Sequence, residues 1–328
     1  MNNKKILVIG GTGFLGTVLT RLLASRGYHV TVPTRRRERA KHLIVFPTVD
    51  VVEVDVNSER QLSKLVIGQD AVINLVGILQ SRRAGLRGKP YKKTHRHPFG
   101  LDFLKAHVEL PRKIYSSCRQ HGVRRVIQVS SLKADLYAPS EYLRSKAAGE
   151  TVLRAAKEML ELTIFRPSII FGAGDSFLNL YARLLKWFPF FPVACPNTRF
   201  QPVFVEDVAA SIADSVFAYD TYGKAFDLCG PDVFTLKELV EYVGEVSGHR
   251  RPVIGLSDRL SYLQAWFMEF VPGKIMSRDN YRSLQVDSVC AGNCMLPFGR
   301  KPTVLKEVVP TWLGKSPSKG AVKLLNGE

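Results

Sequence analysis

Apolar residues in the first half of the chain alternate between short continuous runs and longer stretches in which they recur every three or four positions. The short runs are typical of strands and the longer stretches of amphipathic helices. Because the runs leave no polar face, we expect a parallel sheet covered by helices on both sides. The predicted strands span residues 5–9, 29–32, 51–54, 71–75, 125–129 and 162–165, and the predicted helices span 14–26, 59–66, 101–121 and 140–160.

The second half has a less regular pattern. It predicts a helix over 208–218, a strand over 225–228 and a further helix near Val304. Thr235 and Glu238 have the spacing of a capping box, so another helix is expected to begin there. Two aromatic stretches, 187–191 and 266–270, favour core packing. A pocket for an apolar substrate and a seat at a membrane interface are the alternatives for these stretches.

Glycines at positions 10, 13 and 16 follow the first predicted strand and open the first predicted helix. In such a loop one glycine permits a tight turn, one lets the backbone approach a pyrophosphate, and one lets the helix pack on the strand. The free N–H groups at the helix start then bind the anion. In this context the spacing predicts a dinucleotide site rather than an empty turn. The loop residues assigned to cofactor binding are Gly10, Thr12, Gly13, Phe14, Leu15 and Gly16.

The glycine loop and the alternation of strands and helices together predict an α/β fold class. We expect a Rossmann-type doubly wound parallel sheet with a smaller C-terminal α+β region on the substrate side. The NAD(P)-binding Rossmann domain is predicted over 1–170. The substrate-side region is predicted over 171–314, with segments returning to the first domain. Residues 315–328 are rich in Lys, Ser and Gly and predict a flexible tail.

The end of the second strand distinguishes NAD from NADP, because a carboxylate there accepts hydrogen bonds from the ribose hydroxyls of NAD. This chain instead has Arg35 and Arg36, whose planar guanidinium groups pair well with a phosphate. We therefore favour NADP(H) over NAD(H), a solvated helix start being the alternative. Further cofactor contacts are expected after the third and fourth strands, at Asp55, Val56, Leu75, Val76 and Gly77.

Tyr142 and Lys146 have a YxxxK spacing within a predicted helix, so both side chains can point at one ligand. A nearby ammonium favours the phenolate and lowers the pKa of a tyrosine. That suits a general acid/base that exchanges a proton while hydride moves to or from a nicotinamide. Ser131 lies just past the fifth strand and supplies a third polar group. The predicted catalytic residues are Ser131, Tyr142 and Lys146.

The net charge of +18, from 47 basic and 29 acidic residues, predicts an anionic partner such as a phosphate, an anionic membrane surface or an acidic protein. Basic residues crowd 82–97, after the fourth strand. This loop either clamps an anionic substrate, contacts a lipid or protein surface, or is simply solvated. No nucleic-acid-binding module is recognisable, so no nucleic-acid partner is expected.

The five cysteines are scattered and odd in number, so no disulfide framework is expected and the thiols are interpreted as buried or incidental. Cys290 and Cys294 lack two further ligands nearby, so no metal site is predicted. The first apolar run is too short for a signal peptide, and no stretch approaches the ~20 apolar residues of a membrane span. We predict a cytoplasmic protein, with peripheral contact at the inner face of the membrane as an alternative.

The motifs resemble those of the short-chain dehydrogenase/reductases in their extended and atypical branches, over nearly the whole chain. Matching stretches include 9–16, 129–132, 142–146, 165–168 and 201–203. Within that family the chain looks most like the branch of the NAD(P)-binding accessory subunit of respiratory complex I and its bacterial relatives. His107 stands where active extended members carry an asparagine.

This resemblance implies a nicotinamide cofactor, with contacts from Tyr142, Lys146 and Pro167. It also implies that Ser131 orients a carbonyl, that Tyr142 exchanges the proton, and that Lys146 holds the ribose. We predict an NAD(P)-binding short-chain dehydrogenase-like protein that holds NADP(H) and is linked to respiratory complex I or quinone metabolism, with a protein of either system as partner. The alternative is an active NADP-dependent reductase, epimerase or dehydratase acting on an apolar or anionic carbonyl or quinone-like substrate. The intact catalytic set favours activity and His107 disfavours it, so the sequence leaves enzymatic activity open.

Overall fold

A computed structural model of the chain describes residues 4–81, 99–156, 158–271, 275–292 and 296–314. The basic loop 82–97, the tail 315–328 and Cys294 lie outside the described residues. The chain divides into two compact units. The first unit comprises Met1–Pro167 and Val208–Asp227, and the second comprises Ser168–Asp207 and Leu228–Glu328.

Thirteen strands and twelve α-helices are formed by the described residues, together with a π-helix at Leu104–Glu109. The strands are β1 (Lys5–Ile9), β2 (His29–Thr34), β3 (Val49–Glu53), β4 (Ala71–Asn74), β5 (Arg125–Val129), β6 (Glu161–Pro167), β7 (Ile170–Phe171), β8 (Phe191–Val193), β9 (Arg199–Phe200), β10 (Val203–Phe204), β11 (Ala225–Leu228), β12 (Phe234–Thr235) and β13 (Val253–Gly255). The α-helices are α1 (Phe14–Ser25), α2 (Glu59–Val66), α3 (Leu101–Phe103), α4 (Leu110–His121), α5 (Glu141–Arg154), α6 (Leu178–Trp187), α7 (Val205–Ser215), α8 (Leu236–Val246), α9 (Asp258–Met268), α10 (Arg278–Ser283), α11 (Leu305–Val308) and α12 (Pro310–Leu313).

A seven-stranded sheet with the order β11-β6-β5-β4-β1-β2-β3 forms the centre of the first unit. The neighbours from β6 to β3 pair in parallel. This is a Rossmann-type arrangement, so the predicted α/β fold class is confirmed. The strand order reverses between β1 and β4. In parallel α/β sheets, ligands bind in the crevice outside the carboxyl ends of the two strands at such a reversal.

Two predicted helices differ from the sequence-based expectation, one in its hydrogen bonding and one in its C-terminal end. The helix predicted over 101–121 is continuous, but the π-helix Leu104–Glu109 interrupts its α-helical hydrogen bonding. The helix predicted to run to residue 160 ends at Arg154. The reason is packing: Ala156 and Leu160 both join the buried cluster beneath the sheet, so the chain must turn before β6 begins at Glu161.

Burial of complete strands stabilises the first unit. Residues Ile6 to Ile9 of β1 are at most 1% exposed, as expected for a strand covered on both faces. Side chains from α2, α4 and α5, such as Leu62, Ile114 and Leu153, fill one side of the sheet. Each fully buried Leu, Ile or Val contributes about 1.5–3 kcal/mol relative to an exposed one. The sheet is therefore a stable platform for the loops at its edge.

A buried arginine fixes the segment 208–227 to the sheet. The Arg125 guanidinium at the start of β5 donates hydrogen bonds to the carbonyl oxygens of Ser215 (2.5 Å) and Val216 (2.6 Å) and to the Thr163 hydroxyl (2.8 Å). Those carbonyls lie at the C-terminal end of α7, where a cation also complements the helix dipole. The Tyr222 ring lies 4.4 Å from the guanidinium carbon. Burial lowers the pKa of Arg125 to about 10, so the side chain stays charged at neutral pH.

The second unit has short strands and a separate core. Its strands form the two-stranded sheets β10-β7, β12-β9 and β13-β8. Phe171, Leu185 and Leu239 are central to its buried cluster. Helix α8 begins with the predicted capping box: the Thr235 hydroxyl accepts from the Glu238 backbone N–H, and the Glu238 carboxylate accepts from the Thr235 N–H, which confirms that prediction.

The cysteine prediction was partly wrong, because Cys229 and Cys290 form a disulfide within the second unit. These cysteines are 61 residues apart, and their spacing carries no signal of pairing. Gln201 brings the two segments together: its amide nitrogen donates to the Gly230 carbonyl oxygen (2.8 Å), and its amide oxygen accepts from the Cys290 N–H (3.1 Å). Among the described residues, no group of three or more His, Cys, Asp or Glu side chains could hold a metal ion.

Core packing, the preferred interpretation of the aromatic stretches, is also wrong for most of their residues. Trp187, Phe188 and Phe190 are exposed, and only Phe191 of that stretch is buried. Phe267 and Phe270 are exposed as well. Sequence composition could not reveal this, because a run of aromatic residues has the same composition whether it lies on the surface or in the core. Within the described ranges, no helix has the length and apolarity needed to cross a membrane.

Candidate dinucleotide site

The glycine loop between β1 and α1 is built so that side chains cannot fit. Gly10 has φ +89°, a conformation that favours glycine, and a Cβ there would lie 3.3 Å from the backbone of Leu75. A Cβ on Gly16 would lie 2.2 Å from the Gly10 carbonyl oxygen. The first turn of α1 therefore packs directly on the loop, and any larger residue at position 16 would push the two apart.

The start of α1 is open to an anion. Gly13 is its N-cap, and within the part of the chain that the structure describes no side chain caps the first turn. The first backbone N–H groups of a helix have no intrahelical partner and carry the positive end of the helix dipole. The helix also has no acidic residue in its first turn. The loop thus offers donors and a positive potential at the reversal point of the sheet.

The residues after β2 are arranged as free cations. Arg35 and Arg36 are exposed, and the Thr34 hydroxyl holds the backbone of Arg36 through bonds of 3.1 and 3.3 Å. Among the described residues, neither guanidinium has an ion-pair partner. They follow a strand that neighbours β1 in the sheet, at the same carboxyl edge as the glycine loop.

The other predicted cofactor residues lie along the same edge. The Leu75 N–H donates to the Ile9 carbonyl oxygen (2.9 Å), and the Val76 N–H donates to the Asn74 side chain (3.2 Å), which shapes the turn leading to Gly77. Asp55 uses its carboxylate within its own turn, accepting from the Asn57 backbone N–H (3.0 Å) and from the Asn57 side chain (2.7 Å). Val56 packs against the core, and the Pro167 carbonyl oxygen accepts from Leu132 N–H.

The three predicted catalytic side chains lie close together. The Ser131 hydroxyl, just after β5, lies near enough to the Tyr142 phenol to oppose the rise that burial causes in its pKa. Lys146, one turn further along α5, donates from Nζ to the Val129 carbonyl oxygen (2.8 Å). The same Nζ would lie 3.7 Å from a Cβ placed on Gly77. The ends of β4 and β5 and one face of α5 therefore converge on one place.

The electrostatics differ from the expectation for the YxxxK pair. Burial raises the pKa of Tyr142, and the nearby Ser131 hydroxyl opposes that shift only in part. The predicted lowering by a nearby ammonium is therefore wrong for this structure, in which the Lys146 ammonium bonds a backbone carbonyl. Burial lowers the pKa of Lys146 to about 8, and the Glu150 carboxylate opposes the shift. The Tyr142 phenol thus keeps its proton at neutral pH.

Sequence reasoning missed the role of His107, which lies in the π-helix and is almost fully buried. Its Nε2 accepts from the Ile78 backbone N–H (3.1 Å), and its Nδ1 is 2.8 Å from the Ser145 hydroxyl. That hydroxyl donates its proton to the Tyr142 carbonyl oxygen (2.8 Å). Ser145 can therefore only accept from His107, which assigns the proton to Nδ1. The imidazole connects the turn after β4 to α5.

Burial and the Lys146 ammonium lower the pKa of His107 to about 2, so the ring is neutral at physiological pH. It therefore positions groups and does not exchange protons. The Tyr142 ring lies edge-on to it, with centroids 5.8 Å apart. The sequence signals were the position of His107, where active extended members carry an asparagine, and Ser145 inside the YxxxK motif, three residues after Tyr142. A second missed feature is Gly149, where a Cβ would lie 2.0 Å from the His107 carbonyl oxygen, so α5 and the π-helix touch through their backbones.

A family model described as NAD(P)H-binding matches residues 10–175, which is half of the chain. The chain belongs to this NAD(P)H-binding family. Family membership confirms the predicted dinucleotide binding and leaves the preference for NADP over NAD undecided.

Relatives of this NAD(P)H-binding chain have names from respiratory metabolism. It is 30% identical to NADH dehydrogenase (ubiquinone) 1 alpha subcomplex subunit 9, mitochondrial, of Arabidopsis thaliana, over 88% of this chain and 71% of that protein. It is 34% identical to the Mus musculus protein of the same name, over 72% of this chain and 59% of that protein. The sequence-based resemblance to the complex I branch is thereby confirmed. The chain spans between about three-fifths and seven-tenths of these relatives.

A third relative has the name of an enzyme. The chain is 31% identical to ceramide reductase of Caulobacter vibrioides, over 63% of this chain and 59% of that protein. Among solved structures, the fold matches dTDP-glucose 4,6-dehydratase DesIV of Streptomyces venezuelae, whose structure holds NAD. The TM-score is 0.71 at 19% identity, over 94% of this chain and 95% of that one. At this identity the match supports the fold.

Proposed function

We propose that this chain binds NADP(H) at the edge of the first unit and serves respiratory complex I or a quinone pathway. The observation that carries the cofactor choice is the pair Arg35 and Arg36, exposed and without an ion-pair partner among the described residues. A phosphate on the adenine ribose would supply the missing anion. The uncapped backbone N–H groups at the start of α1 would bind the pyrophosphate.

Cofactor preference is tested by measuring the Kd of NADPH and NADH for the wild type, Arg35→Ala and Arg36→Ala. Loss of a charge-assisted hydrogen bond should weaken NADPH binding by about 10- to 100-fold in one or both variants, and NADH binding should hardly change. Arg119→Ala is the matched control, since it removes an exposed charge at the far end of α4. Equal weakening for both cofactors, or no NADPH preference in the wild type, would contradict the 2′-phosphate assignment.

The respiratory assignment is supported by the names of the relatives in Arabidopsis thaliana and Mus musculus. On this proposal the protein acts at the inner face of the membrane as a peripheral partner of a respiratory or quinone-pathway protein. Detergent-solubilised membranes of the source organism, separated under native conditions, should show the chain migrating with NADH:quinone oxidoreductase activity or with a quinone-pathway enzyme. Migration only as the free protein would count against this assignment.

A second candidate function, reduction of a carbonyl, is favoured by the grouping of Ser131, Tyr142 and Lys146 at the ends of β4 and β5. The cofactor supplies hydride when it is bound. The Ser131 hydroxyl would orient the carbonyl oxygen, and the Tyr142 phenol would give that oxygen a proton as the alcohol forms. Lys146, with a pKa of about 8, can hold a proton near the phenol at neutral pH. His107 would keep α5 in register with the turn after β4.

Activity is tested by mixing the protein and NADPH with a panel of quinones and lipid-like ketones and following cofactor absorbance. A catalytic acid contributes about 10²–10⁴-fold, so Tyr142→Phe should reduce turnover by that factor. Tyr115→Phe is the matched control, because it removes a phenol on the exterior of α4. Unchanged turnover in Tyr142→Phe would remove Tyr142 as the acid. If no substrate is turned over while NADPH binds tightly, the structural role of the cofactor is favoured.

A further inference from the structure

Helix α9 of the second unit buries small residues and exposes large apolar ones, which is the reverse of an ordinary surface helix. Its fully buried residues are the small Ser261 and Ala265. Large apolar residues on the exposed side follow the spacing i, i+3 and i+7, and a fourth follows at i+10, just after the helix ends at Met268. Between 52% and 63% of each is exposed: Leu260, Leu263, Phe267 and Phe270. A surface helix normally turns such a stripe toward the core. We call these four residues the outer stripe.

Polar contacts hold the outer stripe outward. The Ser261 hydroxyl accepts from the Cys195 backbone N–H (3.1 Å) and donates to the Leu256 carbonyl oxygen (3.4 Å). The Gln264 amide donates to the Pro192 carbonyl oxygen in β8 (3.0 Å). Rotating the helix to bury the stripe would break these bonds. The exposure of the stripe is therefore a fixed property of the second unit.

A second apolar group is attached to the same strand. Trp187, Phe188 and Phe190 come directly before β8 and are 76%, 50% and 53% exposed. Ile254 of β13 is opposite Pro192 in the β13-β8 pair and is also exposed. The first unit also exposes large side chains, such as Val45, Ile67, Tyr137 and Tyr219, but these lie on separate segments. A concentration of aromatics on two elements joined to one strand marks an interaction surface.

The charge and composition of this surface fit an anionic bilayer. Residues 176–205 contain Arg183, Lys186 and Arg199 and no acidic residue. On α9 itself Arg259 is exposed next to Asp258, so the positive charge comes from residues 176–205 and from the whole chain, whose net charge is +18. Two of the three tryptophans of the chain, Trp187 and Trp266, lie in these segments, and tryptophan prefers the level of lipid headgroups. Exposed aromatics beside Lys and Arg are the composition of an interfacial helix.

We propose that α9, together with the aromatic turn 187–190, lies in the plane of an anionic membrane and inserts the outer stripe among the lipid headgroups. This inference rests on the proposed peripheral location and names the surface responsible. It is independent of the cofactor site, because all the residues involved belong to the second unit. Basic residues would attract the anionic lipids and the apolar stripe would hold the protein on them.

The test is flotation of the full-length protein with phosphatidylcholine vesicles, with and without about 30% phosphatidylglycerol. We expect the protein to bind the anionic vesicles and to bind the neutral ones more weakly. Leu263→Glu/Phe267→Glu should lower the partition coefficient by about tenfold or more, since two apolar side chains that would insert among the headgroups become charged. The matched control is Val45→Glu/Ile67→Glu, which places the same charges on exposed apolar sites of the first unit. It measures the effect of the added charge alone.

Brominated lipids provide a second measurement that does not depend on affinity. They should quench tryptophan fluorescence in the wild type, and Trp187→Phe/Trp266→Phe should lose that quenching, leaving only Trp312. Wild-type protein that binds neither vesicle type, or a stripe variant that binds as well as its control, would overturn the proposal and assign the stripe to a protein partner. NADPH affinity, measured on each variant, separates the two proposals: unchanged affinity keeps the cofactor site intact whatever the vesicles show.

Discussion

The two units of this chain place their apolar residues differently. The first unit gathers its large aliphatic side chains around one seven-stranded sheet and presents polar groups at the sheet's carboxyl edge. The second unit has three two-stranded sheets, a disulfide, and a row of aromatic and aliphatic side chains facing outward. Together with the membrane proposal, the difference suggests a division of roles: one unit binds the dinucleotide, and the other would supply the surface for contact with the membrane.

The largest expected effect is on the first unit, through Arg125. Arg125→Met removes the donor to the Ser215 and Val216 carbonyls and leaves buried acceptors without partners, so we expect a loss of about 3–5 kcal/mol. Urea denaturation measures it. The neighbouring Arg124 is the matched control: its side chain is 65% exposed, and its ion pair with Glu161 is a surface one, so Arg124→Met should cost under about 1 kcal/mol. Similar losses in both variants would contradict the anchoring role.

A smaller loss of stability, confined to the second unit, is expected when the disulfide is removed. Cys290→Ser opens a bond that closes a 61-residue segment, which should cost about 2–4 kcal/mol. Hydrogen exchange resolves where the loss occurs: amides of α8 should lose protection, and those of β1 should not. Reductant applied to the wild type should reproduce the pattern, and Cys195→Ser, which removes a free thiol, should not. Equal loss of protection in β1 would show that the units do not unfold separately.

The effect of His107 depends on pH. The folded protein keeps this ring neutral because its pKa is about 2, whereas the unfolded chain binds a proton near pH 6.5. Protonation below pH 6.5 therefore favours the unfolded state, and stability is lost as pH falls. Between pH 7 and pH 5 the wild type should lose about 2 kcal/mol more than His107→Asn, which has no titrating ring. Denaturation curves at pH 7, 6 and 5 measure this. Parallel pH dependences for the two proteins would contradict the buried neutral tautomer.

The sequence predicts local features of both units well. The strands, the glycine loop and the capping box at Thr235 are set by residues within a few positions of one another, and the structure forms all of them. The link from His107 to Ser145 and the anchor at Arg125 join residues 38 to 91 positions apart, and neither has a spacing that could be recognised. The outward stripe on α9 was visible only in part, as the aromatic stretch 266–270, and composition gives no sign of which side chains face water.

The π-helix at Leu104–Glu109 has a consequence for how this site could have arisen. A π-helix bonds residue i to i+5 and so holds one residue more per turn than an α-helix, and such turns often occur at functional sites. Deleting one residue there would restore regular α-helical bonding and remove the wide turn on which His107 lies. His107 would then leave Ser145 and Ile78, and its carbonyl would leave the hollow at Gly149. One codon, far from the glycine loop in sequence, thus sets whether the turn after β4 and helix α5 move as one body.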